Sequence, residues 1–178
     1  MRKTDFFGFM FVLIGFLLTL TLFSYPSTGQ DDWSLRIGVE KKDGQYRDSY
    51  NFIGGSKNAS LYYDANDKLE PPTSPSGLCL YFPHSDWGVH SGKYASDKRP
   101  SVVGTDTYEF VVEAGEYTQL KLFWQDIEDI PENYKLTLID EEREIFIDMR
   151  KVSDYTFDCR PGYKNRFRVI VNGFDPLS

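Results

Sequence analysis

Apolar side chains recur at every second position in several stretches of this chain. Residues 117–149 show the pattern most clearly, in three sets that each keep to one face: Leu120, Leu122 and Trp124; Leu136 and Leu138; and Ile145, Ile147 and Met149. Alternation of this kind is typical of strands with one buried face and one wet face. We therefore predict that residues 117–149 form consecutive antiparallel strands in the middle of a β-sandwich.

Shorter alternating or apolar runs predict further strands at residues 33–40, 46–53, 78–82, 108–114, 155–159 and 167–171. Turn signals such as Asp43-Gly44 and Pro161-Gly162 separate some of these runs. Residues 83–99 are predicted to form a long loop. About nine short strands without a helix of ordinary length predict an all-β fold, namely an antiparallel β-sandwich of the immunoglobulin-like kind.

The first 29 residues form a separate segment. A basic start at Arg2 and Lys3 precedes an almost wholly apolar run over residues 6–23, and residues 27–29 are small. This order is typical of a secretory signal peptide. An uncleaved membrane anchor is the competing interpretation, because the apolar run is just long enough to span a bilayer. Either way we expect residues 30–178 to be one domain that is secreted or held at the cell surface.

Composition narrows the choice of partners. The chain has 178 residues, of which 16% are aromatic, and a formal net charge of −7. That length allows one domain with a proper core, and flat rings suit a pleated sheet. The negative charge disfavours nucleic acid and anionic membranes as partners. It is compatible with cations, sugars or basic protein patches.

The two cysteines, Cys79 and Cys159, each lie in a predicted strand with apolar neighbours. In an exported protein, a pair of cysteines is most simply a disulfide. Such a bridge would contribute on the order of 4 kcal/mol in the chain-entropy model. We therefore expect a disulfide, with two separately buried thiols as the alternative.

One acidic loop offers oxygen ligands for calcium at Asp64, Asn66, Asp67 and Glu70. Calcium prefers six to eight oxygens, and extracellular modules often bind it weakly. The spacing begins like an EF-hand loop but lacks the central glycine and the distal glutamate. The alternative is an Asx-rich turn whose side chains bond to their own backbone.

A second motif in the same region is the triplet Asn58-Ala59-Ser60. It matches the acceptor pattern for N-glycosylation, which is used in surface loops of exported proteins. We expect a glycan on Asn58 only in an organism that has the machinery.

Aromatic loop residues are the strongest candidates for ligand contact, namely Trp87, Tyr94, Tyr62 and Tyr63. Exposed rings can stack on sugars or fill a partner's pocket. The alternative for Trp87 is that it folds back and plugs the open end of the sandwich, because a loop of this length needs something to pin it.

The motifs of known catalytic sites are missing. No Gly-x-Ser-x-Gly occurs, and neither histidine has a recognisable nucleophile beside it. His84, Asp86 and His90 in one loop are a weak set of transition-metal ligands. The carboxylates near residues 126–132 would suit a glycoside hydrolase only if one were kept protonated, and they lie on one solvated turn. We therefore expect no catalytic residues.

The order of motifs resembles an immunoglobulin-like or fibronectin-type-III-like β-sandwich module of secreted and cell-surface proteins in bacteria and archaea. The residues that carry this resemblance are Gly54, Ala59, Asp64, Glu70-Pro71-Pro72, Tyr81-Phe82, Trp87, residues 94–99, Leu122, Trp124, residues 131–134, residues 138–140, residues 148–150, residues 155–157 and Arg166-Phe167. The resemblance implies a non-enzymatic module for protein–protein interaction or surface assembly. A carbohydrate-binding module that uses the loop aromatics is the second hypothesis.

Overall fold

The computed structural model of the chain describes residues 32–72, 77–100 and 104–173. Within these ranges the chain forms eleven strands and two short 3₁₀ helices, Gly88–His90 and Ile127–Asp129. The strands are β1 (Trp33–Lys41), β2 (Arg47–Ser56), β3 (Cys79–His84), β4 (Gly92–Tyr94), β5 (Ser96–Pro100), β6 (Gly104–Glu113), β7 (Thr118–Gln125), β8 (Tyr134–Asp140), β9 (Ile145–Asp148), β10 (Asp154–Cys159) and β11 (Asn165–Gly173). No helix in these ranges is long and apolar enough to cross a membrane. The predicted leader at residues 1–29 lies outside the described residues.

The strands form two sheets with a common core. The first sheet has the order β10-β7-β1-β2-β5, and the second has the order β4-β3-β6-β11-β8-β9. The described pairs are antiparallel except for β2 with β5, which run parallel. The predicted all-β, mainly antiparallel sandwich is thus confirmed, with eleven strands where the sequence pattern predicts about nine.

Two of the strands, β4 and β5, lie inside the segment that was predicted to be one long loop, residues 83–99. β4 is three residues long and β5 is mostly polar, so neither shows apolar alternation. β5 forms because its backbone pairs with β2, with Phe52 opposite Ser96 and Gly55 opposite Arg99. The loop prediction is wrong here because an edge strand can be fixed by backbone pairing alone.

The strands β7, β8 and β9 occupy the stretch that was predicted to form consecutive paired strands. The buried faces of β7 and β8 are as predicted, since Leu120, Leu122, Leu136 and Leu138 are fully buried. The predicted buried face of β9 is wrong at its start, because Ile145 is exposed and Ile147 is only partly buried, whereas Met149 after the strand is buried. However, β7 lies in the first sheet between β10 and β1, and only β8 and β9 pair with each other. The chain changes sheets over residues 126–133. Alternation shows which face of a strand is buried, but it does not show which strand lies alongside.

One apolar core lies between the sheets, and strands of both sheets supply it. Its largest fully buried side chains are Tyr94, Tyr108, Phe82, Phe110, Phe167, Leu35, Ile37, Ile53, Leu80, Leu120, Leu122 and Ile130. The rings of Phe110 and Phe167 stack at a centroid distance of 5.2 Å, at the centre of the second sheet. Burying one side chain of this size contributes about 1.5–3 kcal/mol. Burial of the apolar side chains that alternate along the strands is therefore what holds the two sheets together.

The cysteines are both buried, and they are not joined by a disulfide. Cys159, in β10 of the first sheet, belongs to the main core. Cys79, at the start of β3 in the second sheet, packs outside that core with Tyr81 and Val111. The predicted bridge is wrong because Cys159 faces the core between the sheets and Cys79 faces away from it, so the two sulfurs do not meet. Along β3, alternation places Leu80 toward the core and turns Cys79 away from it.

Candidate functional site

Residues 57–72, which connect β2 to β3, run beside β4 at one edge of the sandwich. Leu69 forms an isolated bridge with Tyr94 at the end of β4. The backbone N–H of Ala95 donates to the carbonyl of Lys68 at 2.7 Å. These backbone contacts hold an irregular segment in one place, because buried backbone groups need a partner.

Five rings pack together where this segment meets the turn after β3. We call them the aromatic cluster, which consists of Tyr63, His84, Trp87, His90 and Tyr94. His84 stacks on Trp87 with ring centroids 3.5 Å apart and planes 6° apart. Tyr94 meets Trp87 edge-on at 4.8 Å. His90 stacks on Tyr63 at 4.1 Å, and this stack joins the two loop segments.

The four aromatic residues predicted to contact a ligand divide into two pairs. Trp87 is 8% exposed and Tyr94 is 1% exposed, and both belong to the main core. Trp87 therefore folds back and closes the end of the sandwich, which was the alternative interpretation of the sequence. Tyr62 is 69% exposed and Tyr63 is partly exposed. The first pair supports the loops from within, and the second pair is accessible from solvent.

A buried ion set lies behind the aromatic cluster. Asp97 of β5 is 1% exposed, and its Oδ2 lies 2.7 Å from Nη2 of Arg99 and 3.4 Å from Nε2 of His84. Arg99 also donates from Nη1 to the carbonyl of Thr107 at 2.7 Å. Burial would raise the pKa of Asp97, but the neighbouring His84 and the hydrogen bonds and charge of Arg99 outweigh it and hold the pKa below its usual value. The set connects the first sheet to β3 and β6 of the second.

The residues predicted to bind calcium do not form one shell. Asp64 accepts hydrogen bonds from the backbone N–H groups of Ser60 and Asn66, and Asp67 accepts from those of Asp64 and Lys98. This is the bonding of an Asx-rich turn. The side chain of Glu70 turns elsewhere, since its Oε1 lies 3.7 Å from the sulfur of Cys79. Calcium binding stays a prediction.

Exposed apolar side chains surround the aromatic cluster. We call them the exposed apolar surface, which consists of Leu61, Tyr62, Leu69 and Val89. Val89 is 96% exposed at the tip of the 3₁₀ helix Gly88–His90. The stack of Tyr63 on His90 places the neighbouring residues Tyr62 and Val89 at the same end of the molecule. This surface combines aliphatic and aromatic groups on loops that are held from below.

The other predicted chemistry finds no compact site. Among the described residues, one group of at least three possible metal ligands has its ligand atoms within 4.8 Å of one another. It consists of Asp48, Glu70 and Cys79, so neither histidine belongs to it. In the second acidic loop, Asp126 forms an ion pair with Arg36 at 3.2 Å. Glu128, Asp129 and Glu132 of that loop are exposed. These carboxylates are arranged as a solvated turn.

The glycosylation motif lies in the turn that follows β2. The side chain of Asn58 is exposed there, and the backbone N–H of Asn58 contacts Oγ of Ser56 at 3.4 Å. A glycan would therefore meet no buried surface at this position. Glycosylation itself stays a prediction.

Sequence reasoning missed the roles of Asp97 and Arg99. His84 was considered only with Asp86 and His90, its near neighbours in sequence, whereas its buried partner is Asp97 in the next strand but one. The only available signal was the pattern Asp97-Lys98-Arg99, in which alternation puts the acid and the guanidinium on one face. That signal becomes readable only once β5 is known to be a strand.

Comparison with known proteins adds no constraint. No protein-family model matches the chain, and neither the curated proteins nor the solved structures give a match.

Proposed function

We propose that this chain is an exported, non-catalytic β-sandwich binding module that engages a protein partner through the exposed apolar surface. The observation that supports this proposal is the contrast between that surface and its base. Val89 and Tyr62 are 96% and 69% exposed, while Trp87 beneath them is buried. A rigid base lowers the entropy lost on binding, and apolar side chains held in place are typical anchors for a protein partner.

A protein partner fits this surface better than a glycan does. Sugar binding usually needs the open faces of several rings. Here Trp87 and Tyr94 are buried, and His90 covers a face of Tyr63. The accessible groups that remain around Tyr62 are aliphatic. A carbohydrate-binding module that uses Tyr62 and Tyr63 is the second candidate.

Export and attachment are part of the proposal. The predicted leader at residues 1–29 and the resemblance to immunoglobulin-like modules of secreted and cell-surface proteins support it. The net charge of −7 favours a partner with a basic rim around its apolar contact. We infer that the module takes part in assembly at the cell surface.

Site-directed photo-crosslinking in the native cells tests the proposal. A photoreactive amino acid replaces Tyr62 or Val89 in the full chain, and Thr156, an exposed residue of β10 at the opposite edge, serves as the matched control position. We expect one discrete protein adduct from positions 62 and 89 and none from position 156. An adduct pattern that is the same at all three positions would contradict the proposal.

Glycan binding by the purified full chain distinguishes the second candidate. On a glycan array, the carbohydrate hypothesis requires binding that disappears in Tyr62→Ala while the fold is retained. Absence of glycan binding together with the specific protein adduct would support the first candidate. Binding to a glycan without a protein adduct would support the second.

A further inference from the structure

Three side chains that can bind a metal meet where residues 57–72 come close to β2 and β3. Asp48 comes from β2, Glu70 from the segment itself, and Cys79 from the start of β3. One carboxylate oxygen from each acid and the sulfur all lie within 4.8 Å of one another. Ligands on one tetrahedral zinc ion are about 3.3–3.5 Å apart at usual bond lengths. A small inward movement of the side chains would therefore bring all three onto one ion.

The two carboxylates of the cluster have no ion-pair partner among the described residues. Neither Asp48 nor Glu70 forms an ion pair within 4 Å among the described residues. Both are partly buried. Arg47 and Lys68 line the neighbouring cavity without pairing with them. Buried charges are usually paired or coordinate a metal, so a divalent cation between these carboxylates would give both a partner.

Neighbouring groups hold the first ligand in place. The two carboxylate oxygens of Asp48 accept hydrogen bonds from the side-chain amide of Asn51 at 2.8 Å and from the backbone N–H of Leu80 at 2.7 Å. Bonds of this kind orient metal ligands in known sites. Asn51 is fully buried, and its own Oδ1 has no hydrogen-bond partner among the described residues. A buried polar atom left without a partner beside this carboxylate indicates a missing water or ion.

A cavity gives the cluster access to solvent. It has a volume of about 370 Å³, and Asp48 and Glu70 line it together with Tyr50, Leu69 and Leu78. Cys79 follows Leu78 in the chain and is buried, and its sulfur lies 3.7 Å from Oε1 of Glu70, which lines the cavity. This space is large enough for an ion to enter and for a water molecule to complete its coordination.

We propose that Asp48, Glu70 and Cys79 form a binding site for a divalent ion of the zinc class, with a water molecule as the fourth ligand. A thiolate with two carboxylates selects a borderline ion over calcium or magnesium. Cys79 gives its proton to solvent as the metal–sulfur bond forms. The bound ion would fasten residues 57–72 to β2 and β3. The cavity of this site shares Leu69 with the exposed apolar surface, but the proposed ligands are not part of that surface, and the site does not depend on the proposed function.

Titration of the purified, metal-free full chain with Zn²⁺ and with Co²⁺ tests the site. We expect one ion per chain, a rise in Tm, and a sulfur-to-cobalt charge-transfer absorption with Co²⁺. Cys79→Ser should abolish that absorption and weaken Zn²⁺ binding by about 10–100-fold or more. Cys159→Ser is the matched control, because Cys159 lies in the main core away from the cluster, and it should leave both properties unchanged.

Three results would overturn the proposal. They are the absence of stoichiometric binding to the folded wild-type chain, an unchanged affinity in Cys79→Ser, and loss of the cobalt absorption in Cys159→Ser alone. If Cys79→Ser does not fold, Glu70→Gln provides the second variant, and it should weaken Zn²⁺ binding while keeping the native circular dichroism. A Ca²⁺ titration separates this site from the calcium loop, since calcium bound at Asp64 and Asp67 would persist in Cys79→Ser.

Discussion

Two buried carboxylates connect the sheets, one at each edge of the sandwich. At the first edge, Asp97 of β5 meets His84 of β3 and Arg99. At the second edge, Asp140 of β8 accepts hydrogen bonds from Arg143 at 2.8 Å and from the hydroxyl of Tyr155 at 2.9 Å. Both aspartates are 1% exposed. The same type of group therefore joins the sheets twice, with different partners.

The difference between the edges lies in what surrounds each carboxylate. Asp140 is served mostly by its own turn, because the backbone N–H groups of Glu142 and Arg143 also donate to it. Burial and the bond to Asp140 raise the pKa of Tyr155 to about 12, so Tyr155 stays a hydrogen-bond donor. This edge simply closes the β8–β9 hairpin against β10.

The first edge contains groups that joining the two sheets does not require. Asp97 and His84 support Trp87 and Tyr94, and these rings in turn support loops with exposed apolar residues. Loops held on a rigid base are common places for function. The second edge also exposes apolar side chains, Ile145 and Phe146, but these lie on strand β9, whereas those of the first edge lie on loops that buried rings support.

Removing the two carboxylates should show the largest difference. Asp97→Asn leaves the partly buried guanidinium of Arg99 without its counter-charge, so we expect a loss of about 3 kcal/mol in the free energy of unfolding, at the low end for a buried pair. Asp140→Asn should cost about 1–3 kcal/mol, because Arg143 is more exposed than Arg99 and stays hydrated. Urea denaturation measures both values.

The exposed residue Asp158 provides the control for these two variants. Asp158→Asn should change the free energy of unfolding by no more than about 0.5 kcal/mol. If Asp140→Asn proves as costly as Asp97→Asn, the two edges are equivalent in stability, and the comparison fails at its first step.

Removing one hydroxyl at each edge should lower the free energy of unfolding by less than removing a carboxylate. Here the second edge should lose more stability than the first. Tyr155→Phe deletes a hydrogen bond to a charged acceptor and should cost about 1.5–3 kcal/mol. Tyr94→Phe deletes a bond to the carbonyl of His90 and should cost about 1 kcal/mol. Thermal unfolding of the two variants, measured side by side, checks this order. A larger loss in Tyr94→Phe would mean that the aromatic cluster depends on that bond more than on ring packing.

Acid should weaken the first edge through Asp97. Its pKa in the folded protein is lower than the unfolded value of about 3.9, so the stability it contributes is complete above about pH 4. That contribution is lost as the pH falls through the lower, folded value, by at most about 1.4 kcal/mol per pH unit for one proton. The difference in unfolding free energy between wild type and Asp97→Asn should therefore shrink below pH 4. A difference that stays constant from pH 7 to pH 3 would contradict this assignment.

The sequence was enough for the layers of the fold and for the strands of its second edge, but not for the strands β4 and β5 of its first edge. The alternation around Leu120 and Leu136 identifies buried faces, because strand geometry forces a period of two. β5 was missed because Asp97, Lys98 and Arg99 give no apolar signal, although backbone pairing with β2 fixes the strand. β5 depends on contacts with residues distant in the chain, which no local pattern shows.

The sequence predicts only part of the candidate site, because here too the residues meet through contacts between distant parts of the chain. Composition identifies Trp87 and Tyr62 as ring candidates, but only packing decides that Trp87 is buried and Tyr62 exposed. The disulfide prediction failed because the apolar residues around Cys79 cover both faces of β3, so the run itself does not reveal which face meets the core. Where both faces of a strand are apolar, alternation loses its power to predict.

The smallest expected effect on stability is the sharpest test of what the first edge is for. Val89→Ser at the first edge and Val152→Ser beyond β9 replace exposed valines, and each should change the free energy of unfolding by no more than about 0.5 kcal/mol. If the exposed apolar surface binds a protein, Val89→Ser should weaken the specific adduct formed from position 62, while Val152→Ser should not. Equal weakening in both variants would show that the valines act through solubility rather than through contact. If only Val89→Ser weakens the adduct, and its free energy of unfolding is unchanged, Val89 acts in binding and not in folding. Its 96% exposure fits that result, because a side chain so exposed packs against little of the protein.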